Sequence, residues 1–116
     1  MKKINIVKDS EEFSRIIKKR NGLANNSFII NSDINNDNIP KFGITFKKHL
    51  CNAVNRNKLK RQVKSIIDNN KNIYEKNKNY IIIIREGALL LSYQEKEKEL
   101  ISLFIRLKEK TNEKNK

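Results

Sequence analysis

The chain is poor in the residues that most often carry catalysis or brace a fold covalently. Its 116 residues include one cysteine, Cys51, one histidine, His49, one proline, Pro40, three glycines and no tryptophan. A lone cysteine excludes an intrachain disulfide and a thiolate metal cluster. Gly22, Gly43 and Gly87 are scattered, so no glycine-rich loop can cradle a phosphate. An extended segment would put His49 and Cys51 on one face as base and nucleophile, but no nearby acid could orient the imidazole. Both are read as structural or binding-surface residues, and catalysis by this chain alone is not expected. The apolar runs at 80–84 and 88–91 fall far short of the ~18–20 residues that span a bilayer. No apolar segment or cleavage site follows the charged amino terminus. A cytoplasmic location with no membrane partner is therefore expected.

Acid is the other scarcity, and it is local. Lys and Arg number 26 against 13 Asp and Glu, a formal charge of +13. Between Asn38 and Ile67 there is no Asp or Glu, while Lys41, Lys47, Lys48, Arg56, Lys58, Lys60, Arg61 and Lys64 all fall there. Leu59, Val63, Ile66 and Ile67 recur at helical spacing and form a stripe that must face a core. On the same helix Arg56, Lys60 and Lys64 are four apart, with Asn57 and Arg61 one step beside them. A solvated face ordinarily mixes signs, because opposite charges at i, i+4 stabilise a helix by about 0.2–0.5 kcal/mol and like charges cost as much. Uncompensated cations in this density point to a polyanion as partner.

One domain over 1–116, with a single core and two packed layers, suits the length. In order, a helix is predicted over 10–20, where acids open it, Phe13, Ile16 and Ile17 form one face, and cations close it. Residues 23–32 read as a strand with a possible break at Asn25-Asn26, and 31–40 as an exposed Asn/Asp-rich loop. Phe42, Ile44 and Phe46 alternate as one face of a strand, with Gly43 leaving room on the other. The basic helix follows over about 53–70. Residues 80–84 read as a strand covered on both faces. Ser92 and Glu95 form a capping box before a last helix with Leu100, Leu103, Phe104 and Leu107 inside and the charges of 95–99 in solvent. A frayed tail is expected at 111–116. The order is helix, strand, strand, helix, strand, helix, with room for one more strand.

The run Asn52-Ala53-Val54-x-Arg56-Asn57-x-x-Lys60-Arg61 stands between the strand at 42–46 and the run Tyr80-Ile81-Ile82-Ile83-Ile84-Arg85. In this setting the chain resembles the protein subunit of bacterial ribonuclease P over nearly its whole length. The resemblance implies an α+β fold, a compact α/β sandwich with a mixed sheet of about four strands and three helices. It also implies a left-handed strand–helix–strand crossover, against the usual right-handed preference. The catalyst would be a separate RNA which, with magnesium, removes the 5′ leader of precursor tRNA; the chain itself would hold no cofactor. Partners would be that RNA and precursor tRNA, with no obligate protein partner. The residues matched to RNA contact are Lys48, Asn52, Arg56, Asn57, Lys58, Lys60, Arg61 and Lys64. Phe13 and Phe28 match aromatic positions of a cleft for the leader, where an aromatic face can stack a base for ~1–3 kcal/mol. Ile17 and Asn31 depart from common aromatics, His49 from a lysine and Cys51 from a glycine.

Two other classes compete. A nuclease acting by itself would need acids, paired histidines or metal ligands around a basic cleft, and the acid-free interval argues against it. A structural RNA-binding protein of ribosomal type has the same charge, and only function separates it.

Overall fold

In the computed structural model, residues 6–7, 10–18, 22–47 and 49–114 are described. Three helices and a four-stranded mixed sheet are laid out as α1 (Ser10–Lys18), β1 (Leu23–Ala24), β2 (Phe28–Ile34), β3 (Lys41–Phe46), α2 (Ala53–Asp68), β4 (Lys78–Ile84) and α3 (Tyr93–Lys114). The order across the sheet is β1-β2-β4-β3, with β2 antiparallel and β3 parallel to β4. Backbone at Ile6 bridges the outer edge of β3 at Phe42.

Strand β4 is the spine because both of its faces are covered. Ile82 and Ile84 join Phe28, Ile30 and Phe42 in a core closed by Leu59, Val63, Ile66 and Ile67 of α2 and Leu100, Leu103, Phe104 and Leu107 of α3. Ile81 faces the other way and packs with Val7 and Ile16, with Phe13, Ile17 and Ile83 around them. An unbroken run of isoleucines is what burial on two faces requires. The helix-side core also holds Phe42, Tyr74, Tyr80 and Phe104, whose ring centroids lie 4.9–6.4 Å apart. The Tyr74 hydroxyl donates to the Ile67 carbonyl at 3.1 Å, and that of Tyr80 accepts the Glu75 N–H at 3.1 Å. Burial holds both phenols protonated, pushing Tyr80 up to about 12 and Tyr74 higher still.

The hand of the β3–α2–β4 crossover follows from backbone bonds. Phe42 points its side chain toward α2 and its carbonyl outward to the Val7 N–H, while Ile84, also facing α2, points its carbonyl to the Lys47 N–H beyond β3. Viewed from α2 with the strands running upward, an L-residue whose side chain faces the viewer sends its carbonyl to the right. β3 therefore lies to the right of β4, and a chain that leaves β3, passes in front and returns at β4 moves left. This is the rare left-handed crossover.

Some boundaries differ from the expectation. The break at Asn25-Asn26 is a hairpin turn: Asn25 Oδ1 accepts the N–H groups of Ser27 and Phe28 at 2.9 and 2.8 Å. This Asx geometry folds β1 back on β2 and supplies the fourth strand. β2 continues to Ile34, so the loop expected from residue 31 starts only at residue 35. The backbone of α3 stays helical to Lys114, into the tail expected to fray. His49 is not part of an extended pair with Cys51; its φ of 62° puts it in the left-handed region.

Candidate nucleic-acid interface

Helix α2 presents the cationic face. Its phase is set by Leu59, Val63, Ile66 and Ile67, each at most 5% exposed, and the hydrophilic residues are thereby turned outward. Arg56, Asn57, Lys58, Lys60 and Arg61 are exposed and Lys64 is half-buried. None of these five cations forms an ion pair among the described residues. Asn52 acts locally as the N-cap, with Oδ1 accepting the Asn55 N–H at 3.0 Å. The side-chain cap satisfies one of the otherwise orphaned donors of the first turn. The Arg56 guanidinium lies over the ring of Phe46, 5.6 Å from its centroid. Phe46 thus orients the first cation of the row, a role that its place in the strand pattern does not disclose. Lys48 lies outside the described residues.

The two aromatic positions matched to a leader cleft do not come together. Phe28 is 0% exposed, inside the core beneath α2 and α3. Phe13 belongs to α1 on the opposite face of the sheet, with Ile17 and Ile83. Phe28 cannot stack a base without emptying that core, so its place in the cleft is corrected to a structural one. On the α1 side Gly43 matters: a Cβ there would stand 2.5 Å from Phe13 Cε2, so the missing side chain lets the ring lie on the sheet. Helix α1 is tied down further by Arg15 Nε to Asp33 at 3.5 Å and by the Asn79 amide, which donates to Glu12. Asn79 also accepts from Asn35 Nδ2 at 2.8 Å. Of the departures, Ile17 is half-buried beside Phe13 and Asn31 is buried in β2.

A second difference concerns α3. Lys96, expected on a solvated face with its charged neighbours, is only 6% exposed, and its Nζ donates to Gln62 Oε1 of α2 at 2.9 Å. The spacing contains the signal. Lys96, Leu100, Leu103 and Leu107 recur at i, i+4, i+7 and i+11, the buried stripe of the helix.

Among the described residues no group of three or more His, Cys, Asp or Glu side chains converges to hold a metal ion, and no helix is long and apolar enough to cross a membrane.

Fold and face together define a class: a small α+β domain that exposes on a left-handed crossover a basic helix without ion pairs among the described residues. More particularly, the chain belongs to the ribonuclease P protein family, whose model, described as Ribonuclease P, matches residues 1–108. The ribonuclease P protein component of Bacillus pumilus (strain SAFR-032) is 35% identical over 105 residues, covering 90% of this chain and 88% of that protein. That of Streptococcus pneumoniae (strain Hungary19A-6) is 36% identical over 101 residues, 87% and 82% of the two chains. A Staphylococcus aureus RNase P protein mutant with defective mRNA degradation activity superposes with a TM-score of 0.82 at 30% identity, over 91% of this chain and 90% of that one. The RNase P protein from Thermotoga maritima gives 0.78 at 26% identity, over 86% and 94%. The family is one of RNA binding and tRNA processing, and its members are the protein component of the ribonuclease P holoenzyme.

Proposed function

We propose that this chain is a non-catalytic RNA-binding subunit that seats the catalytic RNA of ribonuclease P on α2 and assists removal of the 5′ leader from precursor tRNA. The observation that carries the reading is the row Arg56, Lys60 and Lys64 with Lys58 and Arg61, which lacks ion pairs among the described residues and sits on a helix whose inner face is locked into the core. Such a surface binds phosphates and releases counterions. Asn57 lies on the same exposed face, and Asn52 contributes by fixing the start of the helix. Phe13 is the aromatic candidate for the leader, from the face that carries α1. Magnesium is assigned to the RNA subunit, and no step is routed through a protein-held metal. The reaction is assigned to the cytoplasm, with the RNA subunit and precursor tRNA as partners.

Reconstitution tests the reading. The chain is added to a transcribed bacterial ribonuclease P RNA at low magnesium and 5′ processing of precursor tRNA is measured. Stimulation is expected, together with RNA binding that weakens with salt at a log–log slope near −0.7 to −0.9 per neutralised phosphate. A slope near zero, or processing by the chain without RNA, refutes it. Binding without stimulation would favour a structural RNA-binding protein.

A further inference from the structure

We infer that Lys96, with Lys58 and Gln62, forms a phosphate seat in the seam between α2 and α3, extending the RNA-binding surface beyond the basic helix. The inference rests on the RNA-binding reading of α2 and adds a contact from α3.

Lys96 occupies a core position of α3, and its covered stem carries the ammonium to the edge of α2, where Gln62 is half-buried. The acids around it on α3 are engaged elsewhere. Glu95 accepts the Ser92 N–H, Glu97 accepts from Asn70 Nδ2, and Glu99 accepts from the Ser27 hydroxyl at 2.7 Å. This ammonium therefore donates to a neutral amide oxygen, and the charge that acts on it is another cation, Lys58, four residues before Gln62 on the same face of α2. Burial, with Lys58 adding to it, lowers the proton affinity of Lys96 below that of an ordinary lysine.

A partly desolvated ammonium close to a second lysine, with no carboxylate bonded to it among the described residues, is unfavourable in the free protein. An anion at the seam would reverse that. With its oxygen accepting from Lys96, the Gln62 amide keeps its NH2 group as a donor, so two cations and an amide can converge on one phosphate oxygen cluster. Among ligands of the proposed function, the RNA backbone supplies that group.

The experiment compares the full chain with Lys96→Met, Lys96→Arg and Arg56→Gln/Lys60→Gln, using a transcribed ribonuclease P RNA as probe and thermal melts of the free proteins. Methionine fills the site without charge, so its melting temperature is expected to stay level or rise. Its RNA binding should fall about tenfold at low salt, the scale of one charge-assisted hydrogen bond, and its salt slope should become shallower by about 0.7–0.9. Lys96→Arg should retain binding. RNA affinity and slope unchanged in Lys96→Met, with Arg56→Gln/Lys60→Gln impaired, would overturn the seat and leave the α2 reading intact. Lower melting temperatures and weaker binding in both Lys96 variants would show a structural role and also overturn it. Unchanged binding in every variant would overturn the α2 reading itself.

Discussion

Gly43→Ala tests how α1 is seated on the sheet. The added methyl would stand 2.5 Å from Phe13 Cε2, 2.7 Å from Ile81 Cδ1 and 3.2 Å from Phe13 Cδ2. Carbon atoms settle at about 3.5–4.0 Å, so a shift of roughly 1 Å is needed. Ile81 is fully buried in β4, whereas Phe13 is half-buried on a nine-residue helix, so the ring and α1 should give way. Overpacking of this kind costs about 1–3 kcal/mol, and the restricted unfolded chain offsets about 0.4–1 kcal/mol. A net loss of about 1–2 kcal/mol should lower the melting temperature by roughly 4–8 °C. The diagnostic measurement is a double-mutant cycle. With Phe13→Ala the nearest obstruction is gone and only Ile81 Cδ1 still has to yield, so Gly43→Ala should cost distinctly less, giving a coupling of about 1 kcal/mol or more. Equal losses in the two backgrounds would show that the glycine serves something other than the Phe13 ring.

Phe28→Ala should cost about 3–5 kcal/mol in urea denaturation, as expected for an aromatic deleted from a closed core, whereas Phe13→Ala should cost less and weaken leader contact more. A Phe28→Ala protein of full stability with leader binding selectively lost would return Phe28 to the cleft. At the start of α3, hydrogen bonds from the Ser92 backbone and hydroxyl hold the Glu95 carboxyl below its usual range. A carboxylate with a lowered folded pKa contributes stability that is present above its unfolded value of 4.5 and is lost as pH falls through the folded value. Ser92→Ala keeps the backbone donor and loses the hydroxyl, so it should cost about 1 kcal/mol near neutrality and make the fall of melting temperature below about pH 4.5 shallower; parallel pH profiles for the two proteins would contradict this.

The parts legible in sequence are those where local chemistry and burial demand the same thing. The α2 stripe, the Ser92–Glu95 capping box and the doubly covered β4 are all of this kind. Face assignment is less legible. Phe13 and Phe28 are both aromatics beside apolar residues, and only the pairing of β2 with β4 sends Phe28 to the α2 side while α1 keeps Phe13 on the other. The hairpin at Asn25 depends on one side chain capturing two backbone donors, which competes with a continuous strand. At Lys96 residue type and register conflict, and register wins: the stripe requires a buried position, and a long side chain can fill one with its stem while its head reaches an edge.

The charge of the α2 face is a consequence of where the acids go. An isolated +13 would say only that the chain favours anions. In the fold, Glu95, Glu97 and Glu99 cap α3, bind Asn70 and bind Ser27, while Glu86 pairs with Lys47 at 2.6 Å and Asp37 with Lys41 at 2.7 Å. Each of these acids has a partner away from the outer row of α2. The interval from Asn38 to Ile67 supplies no acid of its own, so Arg56, Lys58, Lys60, Arg61 and Lys64 stay uncompensated among the described residues. Their mutual repulsion strains α2, and the buried stripe of Leu59, Val63, Ile66 and Ile67 holds the helix together against it. Adding a glutamate at an exposed position of the row, as in Asn57→Glu, should therefore stabilise the free protein through Arg61 at i+4 by about 0.2–0.5 kcal/mol while weakening RNA binding. A variant that gained stability and bound RNA equally well would show that the cationic face is not the contact surface.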